Sequence, residues 1–201
     1  DDTIEWVAER CREVGIGEDA RLLRGSGFAV AVLGGRENDD DYERLAEDAM
    51  LHEGFGCRNV AIIWAPTGQS PDPMLDAFAH FRGVFPAHPS TQGRLKMQQA
   101  FIAAVGLPHA YGEGLEFLLS RGQPEIQSPG HIRWAEYDDL AHVDAWLEHQ
   151  KDHLQLVVAL PEMAAILHAP VSVRLPGQAQ RPDLDWCPGG TDTIQFLVSL
   201  H

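Results

Sequence analysis

The feature that most constrains the fold is the run Phe28-Ala29-Val30-Ala31-Val32-Leu33, apolar throughout and bounded by Gly25-Ser26-Gly27 before it and Gly34-Gly35 after it. A half-exposed strand alternates apolar and polar residues. An unbroken apolar run of this length fits a strand covered on both faces, as in a parallel sheet clothed by helices. Residues 59–65 and 154–160 read as two more buried strands, apolar but for Asn59 and Gln155, and 131–137 reads as a further strand after Ser128-Pro129-Gly130. Between them lie segments with helical spacing. An acidic, solvated entry at 37–41 leads into Leu45, Ala46, Ala49 and Met50; residues 74–81 and 93–105 are helical by spacing. Val143, Trp146 and Leu147 form the core face of a helix over 140–151, capped by Asp138 or Asp139, and Pro161 opens another to about residue 167. Strands alternating with helices predict an α/β fold: a three-layer α/β/α sandwich with a mainly parallel sheet. Residues 171–175 alternate like a strand. Residues 114–119 fit a strand or a short helix, and 191–200 a closing helix or strand. Residues 66–73, 86–90 and 176–190 read as loops. At the front, 1–14 reads as a helix with Ile4, Val7, Ala8 and Cys11 on one face.

Charge and cysteine usage exclude several functions. The formal net charge of −15 repels phosphate backbones, which argues against nucleic-acid binding. No apolar run approaches the ~18 residues of a membrane span. The three cysteines, Cys11, Cys57 and Cys187, are far apart and odd in number. They imply a reducing, cytoplasmic setting without a disulfide framework, and they lack zinc-site spacing. His149 and His153 stand one turn apart, but on a charged segment that reads as a solvated helix face, so no metal site is expected.

The candidate for chemistry is the segment Gly54-Phe55-Gly56-Cys57-Arg58-Asn59, between a helix over 41–52 and the strand over 59–65. Glycines let backbone approach a ligand closely. A thiol in such a turn has its own N–H beside it, so nucleophile and oxyanion donor sit together, as a thioester-forming cysteine requires. The same residues also fit a small buried cysteine packing ahead of a strand. Arg58 would favour thiolate at Cys57, and Arg58 and Asn59 are the near-site candidates for holding an oxyanion. Cys11, on a helix face, and Cys187, in a Pro/Gly-rich loop, read as packing residues. Gly25-Ser26-Gly27 and Gly34-Gly35 do not make the strand–GxGxxG–helix dinucleotide fingerprint.

An ordered set of segments resembles the acyl-CoA reductases of the bioluminescence fatty-acid reductase family, within the aldehyde dehydrogenase superfamily. The segments are 29–35, Leu45-Ala46-Glu47-Asp48, 54–60, Ser128-Pro129 with Tyr137-Asp138-Asp139-Leu140, 177–182, and Gly190-Thr191-Asp192-Thr193 with Phe196-Leu197. They span nearly all of the chain. The resemblance implies an aldehyde-dehydrogenase-like catalytic domain over 25–201. It makes 1–24 the last helix and linker of an upstream cofactor domain that holds NADPH. Cys57 would attack an acyl-CoA, release CoA, and carry an acyl thioester that hydride from the nicotinamide reduces to aldehyde. Two departures stand out. Where aldehyde-oxidising relatives place a Glu general base ahead of Leu-Gly-Gly, the aligned residue is Val32; a thioester without that base resists water, as reduction requires. Glu125-Ile126-Gln127-Ser128-Pro129 resembles the Glu-Ile-Phe-Gly-Pro segment that touches the cofactor ribose, with Gln127 breaking the pattern, so Glu125 is a weak cofactor contact. Two alternatives are an oxidising aldehyde dehydrogenase and a non-catalytic interaction domain of the same fold. A fragment of this kind is expected to be catalytically poor alone, and to self-associate as a homo-oligomer through an apolar face near Cys57 or an open sheet edge.

Overall fold

A computed structural model of the chain describes residues 2–200. Its centre is a seven-stranded sheet in the order β3-β4-β5-β2-β1-β6-β7. The strands are β1 (Phe28–Val32), β2 (Val60–Pro66), β3 (His109–Tyr111), β4 (Leu118–Arg121), β5 (His131–Tyr137), β6 (Leu154–Val158) and β7 (Val173–Arg174). Only β3, at the edge, runs antiparallel to its neighbour; every other pairing is parallel. The helices are α1 (Asp2–Glu13), α2 (Asp39–Met50), α3 (Asp72–Val84), α4 (Pro89–Ala104), α5 (Leu140–His149), α6 (Pro161–Ala164) and α7 (Thr193–Ser199).

The unbroken apolar run does what its composition demands. Every residue of β1 is buried, because alternate side chains enter two different cores. Ala29 and Ala31 join Leu45, Met50, Met74 and Phe78 of α2 and α3 on one face. Phe28, Val30 and Val32 join Val143 and Leu147 of α5 and Met163 of α6 on the other. Small residues on the first face let α2 approach closely. On the second face the Trp146 ring meets Phe28 and Trp64 edge-on, with centroids 6.1 and 5.6 Å away. A third, smaller cluster forms where Leu95 and Ile102 of α4 cover Leu118. The result is the expected three-layer α/β/α sandwich with a mainly parallel sheet.

The departures are local and have local causes. Helix α4 begins four residues before the predicted 93, because Pro89 sits in its first turn, where its missing N–H costs nothing. The His88 ring caps that helix by accepting from the Ser90 N–H. The expected strand over 171–175 shortens to the two residues of β7 that pair with β6. The ambiguous stretch 114–119 splits into a helical turn at Glu113–Leu115 and strand β4. Strand β3 is not expected from the sequence; it is three residues long and pairs only with β4. The closing segment is helical, with Asp192 as its cap. Asp139 caps α5 by accepting from the Ala141 N–H, and Asn38 with Asp41 forms a capping box on α2. In α1, Ile4, Val7, Ala8 and Cys11 are the half-buried positions. No helix among the described residues is long and apolar enough to cross a membrane.

Candidate active site

Helix α2 delivers the chain from the carboxyl end of β1 back to the amino end of β2, and the cysteine turn is the connection. Three successive residues there adopt left-handed backbone: His52 (φ 55°), Glu53 (φ 59°) and Gly54 (φ 73°). For the two non-glycine residues this conformation costs roughly 1–2 kcal/mol each. Such strain persists only where the surroundings over-determine it, and here they do. The Glu53 carboxylate accepts from Arg82 Nη1 at 3.0 Å, from Thr91 Oγ1 at 2.6 Å and from the His88 N–H at 3.3 Å. Partial burial pushes its pKa up, but the Thr91 bond and the Arg82 charge outweigh burial and hold it below the usual carboxylate range. Gly54 lies against the opposite backbone: a Cβ there would come within 2.7 Å of the Gly130 nitrogen.

The turn is closed from the other side by Asn59. Its Oδ1 accepts from the Gly56 N–H at 2.7 Å, and its Nδ2 donates to the carbonyls of Asp48, Ala49 and Leu51. The amide therefore ties the end of α2 to the turn, and its donors are not free for an oxyanion. The Arg58 side chain is also turned away. Its Nε donates to the Ala179 carbonyl, and its guanidinium carbon lies 4.5 Å from the centre of the Trp186 ring. Burial, reinforced by nearby Arg174, lowers its pKa against the opposing pull of Cys57, Asp183 and Asp48. Both residues brace the turn; among the described residues the Asn59 donors are all engaged, while the buried Arg58 Nη2 has no hydrogen-bond partner.

Cys57 itself is exposed, which sets aside the reading of a buried packing cysteine. Among the described residues its N–H makes no hydrogen bond, while the Asn59 N–H is taken by the Gly56 carbonyl at 2.9 Å. An exposed sulfur and an unused donor thus share one residue. Cys11 and Cys187 are free and half-buried. Immediately beside the turn is a cleft of about 230 Å³. Gly54, Phe55 and Gly56 form one wall, Ile126 to Ile132 the other, and the starts of β1 and β2 the floor. Phe55 and Ile126 are 64% and 52% exposed and form apolar lips. Arg94 of α4 joins the walls, with its guanidinium carbon 4.6 Å from the Phe55 ring centre and Nε donating to the Pro129 carbonyl at 3.1 Å. Among the described residues no carboxylate lines this cleft, whereas His131 does. Glu125 is exposed on the loop just before the Ile126 wall, with only its backbone in local hydrogen bonds.

The placement of Val32 corrects the sequence reading. Val32 pairs with Trp64, whereas Cys57 precedes Val60, so the two lie at opposite ends of the sheet. The strand between Val60 and Trp64 alone spans roughly 13 Å at the usual rise per residue. Val32 is buried in the α5-side core. It cannot stand where a base acting on Cys57 would stand, so it carries no argument about a base; among the described residues the cleft lining holds no carboxylate but does include the buried His131.

The sequence reading missed Asp48. Fully buried on α2, it accepts from the Gly177 N–H at 2.7 Å and the Ala179 N–H at 2.9 Å, and so docks residues 177–180 behind the turn. Gln180 Nε2 adds a bond to the Asp48 carbonyl at 3.1 Å. Burial raises the Asp48 pKa to about 7 in spite of these donors. A charge on the inward side of a helix stripe was the available signal. His131, at the start of β5, was likewise read only as strand. It is buried, with Nε2 2.7 Å from Ser120 Oγ and its pKa lowered to about 4 by burial, with Arg133 adding to the effect.

Solved structures of this architecture carry names. An indole-3-acetaldehyde dehydrogenase complexed with NAD+ superposes at a TM-score of 0.62 with 12% identity, over 91% of this chain and 44% of that one. The aldehyde dehydrogenase KauB from Pseudomonas aeruginosa gives 0.62 at 11% identity, over 91% and 44%. An NAD-dependent benzaldehyde dehydrogenase from Corynebacterium glutamicum gives 0.54 at 18%, over 85% and 44%. The chain has an aldehyde-dehydrogenase-like fold. It spans less than half the length of these structures, and at such identities the likeness concerns fold alone. No family model and no curated protein matches the sequence.

A nicotinamide dinucleotide does not fit the obvious cradle in this chain. The turn after β1 is the glycine turn that leads into a helix, but its Gly34 and Gly35 N–H groups are taken by the Glu37 carboxylate at 2.7 and 3.0 Å. That carboxylate occupies the place a pyrophosphate would need.

Proposed function

We propose that this chain is the acyl-accepting domain of an acyl-CoA reductase of the bioluminescence type, with Cys57 as its nucleophile. The observation that carries the reading is the exposed Cys57 with its own N–H unengaged, held in a strained glycine turn beside an apolar cleft. In the proposed step the Cys57 sulfur attacks the thioester carbonyl carbon. The Cys57 N–H supports the developing oxyanion. The carbonyl–sulfur bond to CoA breaks, CoA leaves as thiolate and takes up the proton that Cys57 gave up, and an acyl-Cys57 thioester remains.

The lack of a carboxylate in the cleft supports this direction over aldehyde oxidation. Hydrolysis of a thioester enzyme needs a general base to activate water; among the described residues no carboxylate lines the cleft, and the imidazole that does, His131, is buried with Nε2 2.7 Å from Ser120 Oγ. Glu53, the nearest acid in sequence, is fully engaged by Arg82, Thr91 and His88. In this proposal NADPH is held by a cofactor domain to which residues 1–24 belong, and the catalytic domain proper is 25–201. Half-burial of the apolar face of α1 is consistent with that division. The test is incubation with isotope-labelled acyl-CoA and peptide mapping. Label on the Cys57 peptide, and none on the Cys11 or Cys187 peptides, is expected; a Cys57→Ala chain that acquires the same label would falsify the assignment.

A further inference from the structure

We infer that Glu53 is a positioning residue for Cys57: its contacts with Arg82 and the start of α4 hold the left-handed turn that aims the Cys57 N–H at the carbonyl under attack. The inference rests on the acyl-transfer reading of Cys57, and its test separates the two. Glu53 sits inside the strained run, with His52 and Gly54 on either side in the same left-handed region. Alone, this backbone would relax. Three donors from two helical regions prevent that. Arg82 is buried on α3 and also donates to the Glu116 carbonyl at 3.1 Å, so its guanidinium is a fixed post. Thr91, also buried, and the His88 N–H belong to the first turn of α4, where a helix favours negative charge. A carboxylate held this way cannot rotate without leaving a buried guanidinium unpaired, which is strongly unfavourable. Three residues beyond Gly54 the chain reaches Cys57, so a shift of the turn moves its N–H directly. A misplacement of about 1 Å in a reacting geometry costs on the order of 100-fold.

Two reactions of the same thiol distinguish positioning from general loosening. Alkylation by iodoacetamide is a displacement with no oxyanion, so it reports exposure and thiolate content only. Acyl transfer from acyl-CoA needs the N–H in place. In the Glu53→Gln chain, acylation of Cys57 is expected to fall at least about tenfold, while alkylation of the same cysteine, followed by peptide mapping, stays within about twofold. Thr91→Val, which removes one of the three donors to Glu53 together with the acceptor of Arg94 Nη2 at 3.3 Å, should give a smaller fall in the same ratio, and Thr91→Ser, which keeps both bonds, should restore it. These two also decide the matter if Glu53→Gln does not fold. An unchanged ratio of acylation to alkylation in the folded variants overturns the positioning role. A parallel fall in both rates also overturns it, since that marks loss of exposure. Failure of the parent chain to be acylated at Cys57 while it is alkylated normally would instead remove the acyl-transfer reading on which the inference stands.

Discussion

The two ends of the parallel strands are built from the same ingredients and reach opposite outcomes. Each has a glycine turn joining β1, α2 and β2, and each borders a cavity. At the carboxyl ends the cavity is about 280 Å³, lined by Gly34, Arg36, Glu37, Leu160, Glu162, Met163 and Ile166. It lies between β1 and β6, where the strand order changes direction, the usual ligand crevice of an open α/β sheet. Yet this end is closed by its own side chains. Glu37 takes the Gly34 and Gly35 N–H groups, and the Tyr137 hydroxyl donates to the Leu33 carbonyl at 2.6 Å. At the amino ends the cleft is smaller, but the turn is strained, and Cys57 keeps both its sulfur and its N–H unengaged. Cavity size therefore hardly separates the ends, whereas available chemistry does. The difference teaches that two turns of the same strands and helix can differ in whether their own side chains satisfy the glycine-turn donors, and the proposed function rests on the end where one donor is left over.

The sharpest way to break this comparison is at the thiol. Cys57→Ala should lower acyl transfer by several powers of ten, the usual result of deleting a covalent nucleophile, with folding unaffected because the side chain is exposed. Cys11→Ala and Cys187→Ala should leave it near the parent rate. A quenched-flow acylation assay with each variant decides it.

Next in size is the support beneath the amino-end turn. Asp48→Ala leaves the Gly177 and Ala179 N–H groups buried without acceptors, which should lower stability by about 2–5 kcal/mol. Urea unfolding followed by circular dichroism measures it. Asp48→Asn keeps an acceptor and should lose less. An Asp48→Ala chain as stable as the parent would mean that residues 177–180 are not docked as described.

Asp48 and His131 should tilt the pH dependence of stability in opposite directions. The folded pKa of Asp48 is raised to about 7, so its contribution is fully present below about 4, where the unfolded carboxyl titrates, and is lost as pH rises to about 7. The folded pKa of His131 is depressed to about 4, so its contribution is present above about 6.5, the usual histidine value, and is lost as pH falls toward 4. Each slope is at most about 1.4 kcal/mol per pH unit. Between pH 4 and 6.5 they oppose one another and the parent should vary little from these two groups. Relative to the parent, Asp48→Asn should gain stability as pH rises through that window, and His131→Gln should lose it. Urea midpoints at pH 4.5, 5.5 and 6.5 read the two differences; equal slopes in all three chains would contradict the burial of both groups.

The layers were legible in the sequence because burial of both strand faces leaves an unbroken apolar run in β1 and β2, and a nearly unbroken one in β6 with Gln155 as its one polar residue; β5, with His131, Arg133 and Glu136, was legible from the Pro-Gly turn before it. Strand β3 was not, because three residues that pair along one edge, with Tyr111 exposed, need no hydrophobic signature. The position of Cys57 was legible from Gly54 and Gly56, both of which the turn needs. The roles of its neighbours were not, since whether an Asn or Arg side chain faces a ligand or the backbone depends on contacts far along the chain: Ala179 for Arg58, the end of α2 for Asn59. Val32 shows the limit of motif alignment. A strand end and a strand start that match a pattern in order can still lie at opposite ends of adjacent strands.

The smallest expected effect tests the closed end. Glu37 is partly exposed, and its two bonds to the Gly34 and Gly35 N–H groups join residues two and three positions apart. Glu37→Gln keeps one oxygen as acceptor and loses the charge, so one of the two N–H groups turns to water. Because water reaches this turn, the loss should be only about 0.5–1 kcal/mol. Cys57 lies at the other end of the strands, so its acylation rate should not change. If Glu37→Gln instead slows acylation severalfold at unchanged stability, the carboxyl-end turn takes part in the reaction and the division between the two ends fails. If it allows the chain to bind NADPH in a titration followed by fluorescence, then Glu37 was standing in for a phosphate, and the carboxyl end is a cofactor cradle that its own carboxylate keeps shut.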